Sequence, residues 1–125
     1  MPAPTVTPEN SLHNSLLHID QRDRGTIVKP LQSQFLSATE SRPLWDQISK
    51  IAHDETCQTL VLDLANVTFV SSEILGEFIE LTRTMKRHSG RLILCHVWSE
   101  IHDVIQLMKL DQVLTVTDNC EEIPD

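Results

Sequence analysis

The 125-residue sequence contains no tyrosine, and aromatic residues make up only 4% of it. That removes the stacking platform on which single-stranded nucleic acids are usually held. Basic residues are also few: 10 Lys and Arg face 18 Asp and Glu, a formal net charge of −8. No basic cluster stands out along the chain. Such a balance repels phosphate backbones and anionic lipid, so neither nucleic acid nor a membrane is expected as a partner. The only glycines are Gly25, Gly76 and Gly90, which cannot make a dinucleotide fingerprint or a phosphate-cradling P-loop. No apolar run approaches the ~18 residues of a membrane span, and the opening MPAPTVTPEN has neither the basic nor the apolar region of a secretory signal. A cytoplasmic protein is the expectation.

Chemistry-bearing clusters are missing as well. Cys57, Cys95 and Cys120 are odd in number, widely spaced and form no Cys-x-x-Cys pair. They read as ordinary small apolar residues in a reducing compartment. Cys95 and His96 are the only Cys/His neighbours. Adjacent side chains in a strand point to opposite faces, so this pair is not expected to chelate one metal, and no metal site is assigned. There is no G-x-S-x-G elbow, no H-E-x-x-H and no EF-hand loop. Asp63 stands alone where a phospho-accepting receiver would need an acidic pair. Glu121 and Glu122 are adjacent, but in a tail that offers no enclosed pocket. A protein without catalytic activity, needing no cofactor of its own, is expected.

What is present is a core. The sequence is 40% hydrophobic and long enough for one domain of ordinary size. Residues 1–12, with Pro2, Pro4 and Pro8, read as a flexible tail, 13–118 as the domain, and 119–125 as an acidic tail. Leu16–Ile19 and Thr26–Leu31 flank a polar turn ending in Gly25, where a positive φ suits glycine, and predict a hairpin. Ser41 is an N-cap candidate for a helix carrying Leu44, Ile48 and Ile51. The near-continuous run Thr59–Leu64 predicts a strand covered on both faces. Ile74, Leu75, Phe78, Ile79, Thr82 and Met85 trace one face of a long helix ended by Gly90. Arg91–Val97 is a second buried strand. Ser99 can cap a third helix with Ile101, Val104, Ile105 and Met108 inward, and Val113–Thr117 is a last short strand. The order β-β-α-β-α-β-α-β predicts an α/β fold: a mostly parallel sheet with an N-terminal hairpin and helices packed on it.

Ser71 and Ser72 fall where a strand hands over to the long helix. The first N–H groups of a helix are unpaired and its dipole favours negative charge, so a phosphate on either hydroxyl would be accommodated there. An N-cap serine followed by a dipole-complementing Glu73 accounts for the same residues without any modification. Farther along, the outward positions read Glu73, Glu77 and Glu80, then Arg83, Lys86 and Arg87. Dipole complementation explains that gradient, yet Glu73 and Glu77 at i and i+4 repel each other.

From Leu60 to Val116 the sequence resembles a STAS domain, the family of bacterial anti-sigma factor antagonists and of the tails of sulfate transporters. The likeness rests on the order of Leu60–Leu64, the serine motif, the long helix, Gly90-Arg91-Leu92-Ile93-Leu94-Cys95 and Lys109-Leu110-Asp111. The family's antagonists carry Asp-Ser-[Ser/Thr]-Gly-Leu-Gly after an apolar pair. Here Phe69-Val70 is followed by Ser71-Ser72-Glu73-Ile74-Leu75-Gly76. Ser72 takes the place of the phosphorylated serine, while Leu75 and Gly76 match the end of the motif. Ser71, Glu73 and Ile74 depart from it, and Ser71 is a second candidate acceptor. The resemblance implies a regulatory module in partner switching. Its unmodified form would bind a serine kinase that doubles as an anti-sigma factor, through Ser71, Ser72, Glu73, Gly76, Glu77 and Glu80, and phosphorylation would release that partner. Two other readings keep the fold: a constitutive scaffold whose serines are never modified, and a sensor of a small ligand or nucleotide. The sequence leaves the oligomeric state open.

Overall fold

The computed structural model describes residues 11–13, 16–37, 39–118 and 120. Strands β1 (Ser11–His13), β2 (Leu17–Gln21), β3 (Gly25–Pro30) and β4 (Gln34–Phe35) precede helix α1 (Arg42–His53). Then come β5 (Thr59–Asp63), β6 (Phe69–Val70), helix α2 (Ser72–Arg87), β7 (Arg91–Cys95), helix α3 (Ser99–Leu107), a 3-10 turn at Leu110–Gln112 and β8 (Thr115–Thr117). Six strands form one sheet in the order β1-β2-β3-β5-β7-β8. β1, β2 and β3 are antiparallel neighbours, while β3, β5, β7 and β8 run parallel. The α/β architecture with an opening hairpin is therefore present.

β5 shows why the sequence takes this arrangement. Thr59, Leu60, Val61 and Leu62 are all buried, with β3 on one side and β7 on the other. Alternation sorts their side chains between two faces. Leu60 and Leu62 join Leu92 and Leu94 of β7 in the main core, together with Leu44 and Ile48 of α1, Phe78 and Met85 of α2, and Ile101 and Ile105 of α3. Val61 faces the other way, among Ile93, Cys95 and Cys120, with half-buried Ile27 against them. One face of the sheet is thus covered by three helices. No residue of those helices belongs to the cluster on the other.

The scarce aromatics are concentrated. Phe35 and Trp45 lie with ring centroids 5.7 Å apart, and Trp45 and Phe78 5.8 Å apart, both pairs tilted. Rings at this distance and tilt add attraction beyond the area they bury. The row ties β4, α1 and α2 together.

Several local expectations are corrected. β1 begins within the stretch read as a tail: Ser11 and Leu12 pair with Asp20 and Ile19. The rest of that stretch, 1–10, and residues 121–125 with Glu121 and Glu122 lie outside the described residues. Cys120, assigned to the acidic tail, is buried against β5 and β7. Neither Gly25 nor Gly90 has a positive φ. Ser89 takes the left-handed position after α2, with φ 66°. Gly90 is required by proximity instead, since a Cβ there would stand 2.9 Å from the Gln58 carbonyl oxygen. Ser41 occupies the N-cap of α1 but makes no side-chain cap bond. α3 starts at Ser99, so Trp98 holds the cap position. That helix buries only Ile101 and Ile105; Val104 and Met108 are 40% and 48% exposed. Nine residues at the sheet's edge pack through one i, i+4 stripe and need no wider one.

Candidate functional site

The serine motif sits at the carboxyl end of the sheet, on a small platform of its own. β4 and β6 form a two-stranded parallel sheet with Gln34 beside Phe69 and Phe35 beside Val70. The Ser71 N–H donates to the Phe35 carbonyl at 2.9 Å, extending that pairing to the first residue of the motif. Phe35 and Val70 point into the core, whereas Phe69 and Leu36 are 46% and 56% exposed. The platform therefore presents two large apolar side chains beside the serines. In the sequence Phe69-Val70 reads only as the apolar pair before the motif, and Leu36 carries no signal of its own. The signal was the two-residue alternation, visible only once the strand partner is known.

α2 then begins. Ser71 is its N-cap, with extended backbone (φ −82°, ψ 169°), and its hydroxyl accepts the Ile74 N–H at 3.4 Å. That pattern satisfies one of the orphan donors at a helix start. Ser72 is the first helical residue and is exposed, and its hydroxyl takes no part in the cap. At about 100° per residue, Ser72, Glu73, Gly76 and Glu80 share an arc opposite the core-facing Phe78, and all four are exposed. Glu77 lies at the margin of that arc and is half-buried. Glu80 accepts a hydrogen bond from the Arg83 guanidinium at 2.7 Å, an exposed i, i+3 ion pair. The structure thus gathers Ser71, Ser72, Glu73, Gly76 and Glu80 on one surface, with Glu77 at its border. Gly76 is notable for having nothing within 4 Å of where its Cβ would be.

A second constellation lies at the same end of the sheet, near the face the helices leave bare. β5 and β7 are paired so that Asp63 stands beside Cys95, and Cys95 beside Thr117 of β8. The three parallel strands end together there. His96 leaves the strand with φ 54°, a left-handed conformation in which His is enriched among non-glycine residues. That turn defeats the strand rule by which Cys95 and His96 were expected to diverge. The His96 Nδ1 lies 3.0 Å from Asp63 Oδ1 and 3.4 Å from Cys120 Sγ. Asp63 Oδ1 also accepts the Ala65 N–H at 3.0 Å. Cys95 and Cys120, 25 residues apart in sequence, have Cα atoms 5.4 Å apart and are joined as a disulfide. The reading of all three cysteines as unpaired is corrected accordingly. Only Cys57 is free, and burial pushes its thiol above the ordinary range. Nothing in the linear spacing announces this cluster, because Cys120 meets Cys95 only in the folded chain.

Residues 19–123 match the STAS domain. The chain belongs to that family. Its fold is similar to an anti-sigma-factor antagonist (STAS) domain protein from Planctomyces limnophilus, at 19% identity over 88% of this chain and 95% of that one, with a TM-score of 0.73. It is also similar to the Bacillus cell fate determinant SpoIIAA in its phosphorylated form, at 14% identity over 82% and 92% of the two chains, with a TM-score of 0.62. The murine anion transporter Slc26a9 gives 17% identity and a TM-score of 0.63, covering 78% of this chain and 17% of the transporter. The fold thus occurs both in small regulators and within a transporter. Among the described residues of this STAS domain, no helix is long and apolar enough to cross a membrane.

Proposed function

We propose that this STAS domain is a non-catalytic partner-switching module of the anti-sigma factor antagonist kind, with Ser72 as its phosphorylation site. Its unmodified form binds a serine kinase that acts as an anti-sigma factor, and phosphorylation releases it. The observation that carries this reading is the division of labour between the two serines. Ser71 spends its hydroxyl on the helix cap, while Ser72 presents its own to solvent at the first helical position. A kinase can reach Ser72 without dismantling the helix start.

The surroundings suit a protein partner. Leu36 and Phe69 offer exposed apolar area next to the hydroxyl, the kind of anchor that interfaces bury. Gly76 lowers helix stability by about 1 kcal/mol relative to alanine, yet nothing inside the domain fills its space. A partner lying close against α2 would give that bare position a use.

A phosphoserine adds about −1.5 to −2 charge at pH 7. The α2 N-terminus absorbs it, so the fold barely responds. A docked partner must instead desolvate the phosphate and face Glu73 and Glu77 beside it, which weakens binding unless it supplies matching cations. Ser72→Asp is expected to leave the melting temperature nearly unchanged and to weaken the kinase's affinity at least tenfold, about 1.4 kcal/mol. Ser72→Ala is expected to bind as the parent does. Calorimetric titration of both variants against the cognate kinase decides it. Equal affinities would replace the switch with a constitutive scaffold.

A further inference from the structure

Asp63, Cys95, His96 and Cys120 each offer one ligand atom, and these four atoms lie within 4.8 Å of one another. They come from the ends of two adjacent parallel strands, the residue after one of them, and the returning chain. The carboxyl ends of parallel strands are where open α/β sheets hold ligands. A disulfide between Cys95 and Cys120 needs neither the imidazole nor the carboxylate. Yet His96 takes a left-handed backbone and turns its Nδ1 toward both Asp63 Oδ1 and Cys120 Sγ.

Two of the separations already match those around a metal. Tetrahedral zinc, with bonds of about 2.0–2.1 Å to N and O and about 2.3 Å to S, separates its N and O ligands by roughly 3.3 Å and its N and S ligands by roughly 3.5 Å. The corresponding separations here are 3.0 and 3.4 Å. The two sulfurs, bonded in this structure, must part to roughly 3.8 Å, and the remaining ligand atoms, already within 4.8 Å of one another, must draw in around the ion. The Ala65 N–H on Asp63 Oδ1 is an outer contact of the sort that orients a ligating carboxylate. The mixed sulfur, nitrogen and oxygen donors suit a zinc-class ion better than magnesium or calcium.

We propose that, with the Cys95–Cys120 disulfide reduced, these four residues bind one zinc-class divalent cation. A dithiol reductant supplies two electrons and two protons to the disulfide and becomes a disulfide itself. The cation then displaces the two thiol protons and is held by two thiolates, neutral His96 and the Asp63 carboxylate. The site is separate from the serine motif, and its fate does not depend on the switch.

The test uses the full chain, reduced, freed of reductant under anaerobic conditions and titrated with Co2+ alone. The expected result is one ion per chain, with thiolate-to-cobalt charge-transfer absorption and the strong visible bands of tetrahedral Co2+, both abolished by added Zn2+. Cys57→Ser is expected to change nothing, and Cys120→Ser to lose most of the charge-transfer intensity. His96→Asn, which keeps a residue that accepts positive φ, and Asp63→Asn are expected to weaken binding at least tenfold while circular dichroism stays that of the parent. Zn2+ is expected to raise the melting temperature of the reduced parent but not of His96→Asn. No sulfur-to-cobalt absorption in the reduced parent, or undiminished binding by a folded His96→Asn or Asp63→Asn variant, would overturn the proposal. The cluster would then be a disulfide with two polar neighbours.

Discussion

The two faces of the sheet are built from the same strands and yet differ in almost everything else. On the helix side, Leu60, Leu62, Leu92 and Leu94 join side chains from three helices and three loops in one continuous core. On the other side, the apolar cluster among the described residues is small: Val61, Ile93, Cys95 and Cys120, with half-buried Ile27 against them. A residue and its neighbour in β5 can therefore be equally buried and unequally important. Burial reports exclusion from water; the cost of a substitution depends on how far the surroundings can close over the gap.

Adjacent residues in β5 make that difference measurable. Leu62→Ala on the helix side is expected to cost about 2–5 kcal/mol, and Ile105→Ala in α3 the same range, because a rigid three-helix cover cannot collapse into the void. Val61→Ala, also fully buried, removes fewer atoms from a smaller described cluster. It is expected to cost roughly 1–2 kcal/mol, near the centre of the range for point substitutions. Urea unfolding of the three variants provides the comparison, and equal losses from Leu62→Ala and Val61→Ala would erase the distinction between the faces.

Smaller effects belong to the surface of α2. Ser71→Ala removes the cap to Ile74 and is expected to cost about 1 kcal/mol in the same experiment. Gly76→Ala has open space for its methyl group and is expected to gain up to about 1 kcal/mol. The pair runs in opposite directions, so a common sign would mean that the start of α2 is read wrongly. The smallest expectation concerns Cys57, buried within the helix-side core. Its thiol ionises above the ordinary range because burial penalises the thiolate. The folded state therefore favours the protonated thiol, a preference present at neutral pH and lost as the pH rises past the folded pKa. Alkylation by iodoacetamide at pH 8 is expected to be slower in the folded chain than in urea.

The helix side was the legible one. Thr59–Leu64, the Ile74-to-Met85 periodicity and the Leu92–Cys95 run are long-range patterns that survive any tertiary context, and each became the element it predicts. The serine motif was legible too, since a helix start is a local signal. What escaped depends on pairings that spacing does not encode. β4 and β6 are two residues each and exist only because each finds the other. β1 is defined by its pairing with β2. Val104 and Met108 keep helical spacing but meet no wall. The Asp63–Cys95–His96–Cys120 cluster needed a left-handed residue and a chain return, neither of which leaves a period in the sequence.

The sheet's outermost strands, β1 and β8, are three residues each. Short edges offer an incoming strand few backbone donors and acceptors to pair with. Strand addition, one of the common ways proteins capture extended peptides, therefore has little purchase on this domain. Among the described residues, two copies likewise find no long edge along which to zip together. The partner recognition proposed above would proceed through side chains carried on helices and platform, which a partner can grip and let go one residue at a time. The switch proposed above, an assembly that comes apart on a single covalent event, would be better served by that kind of contact than by a shared backbone ladder.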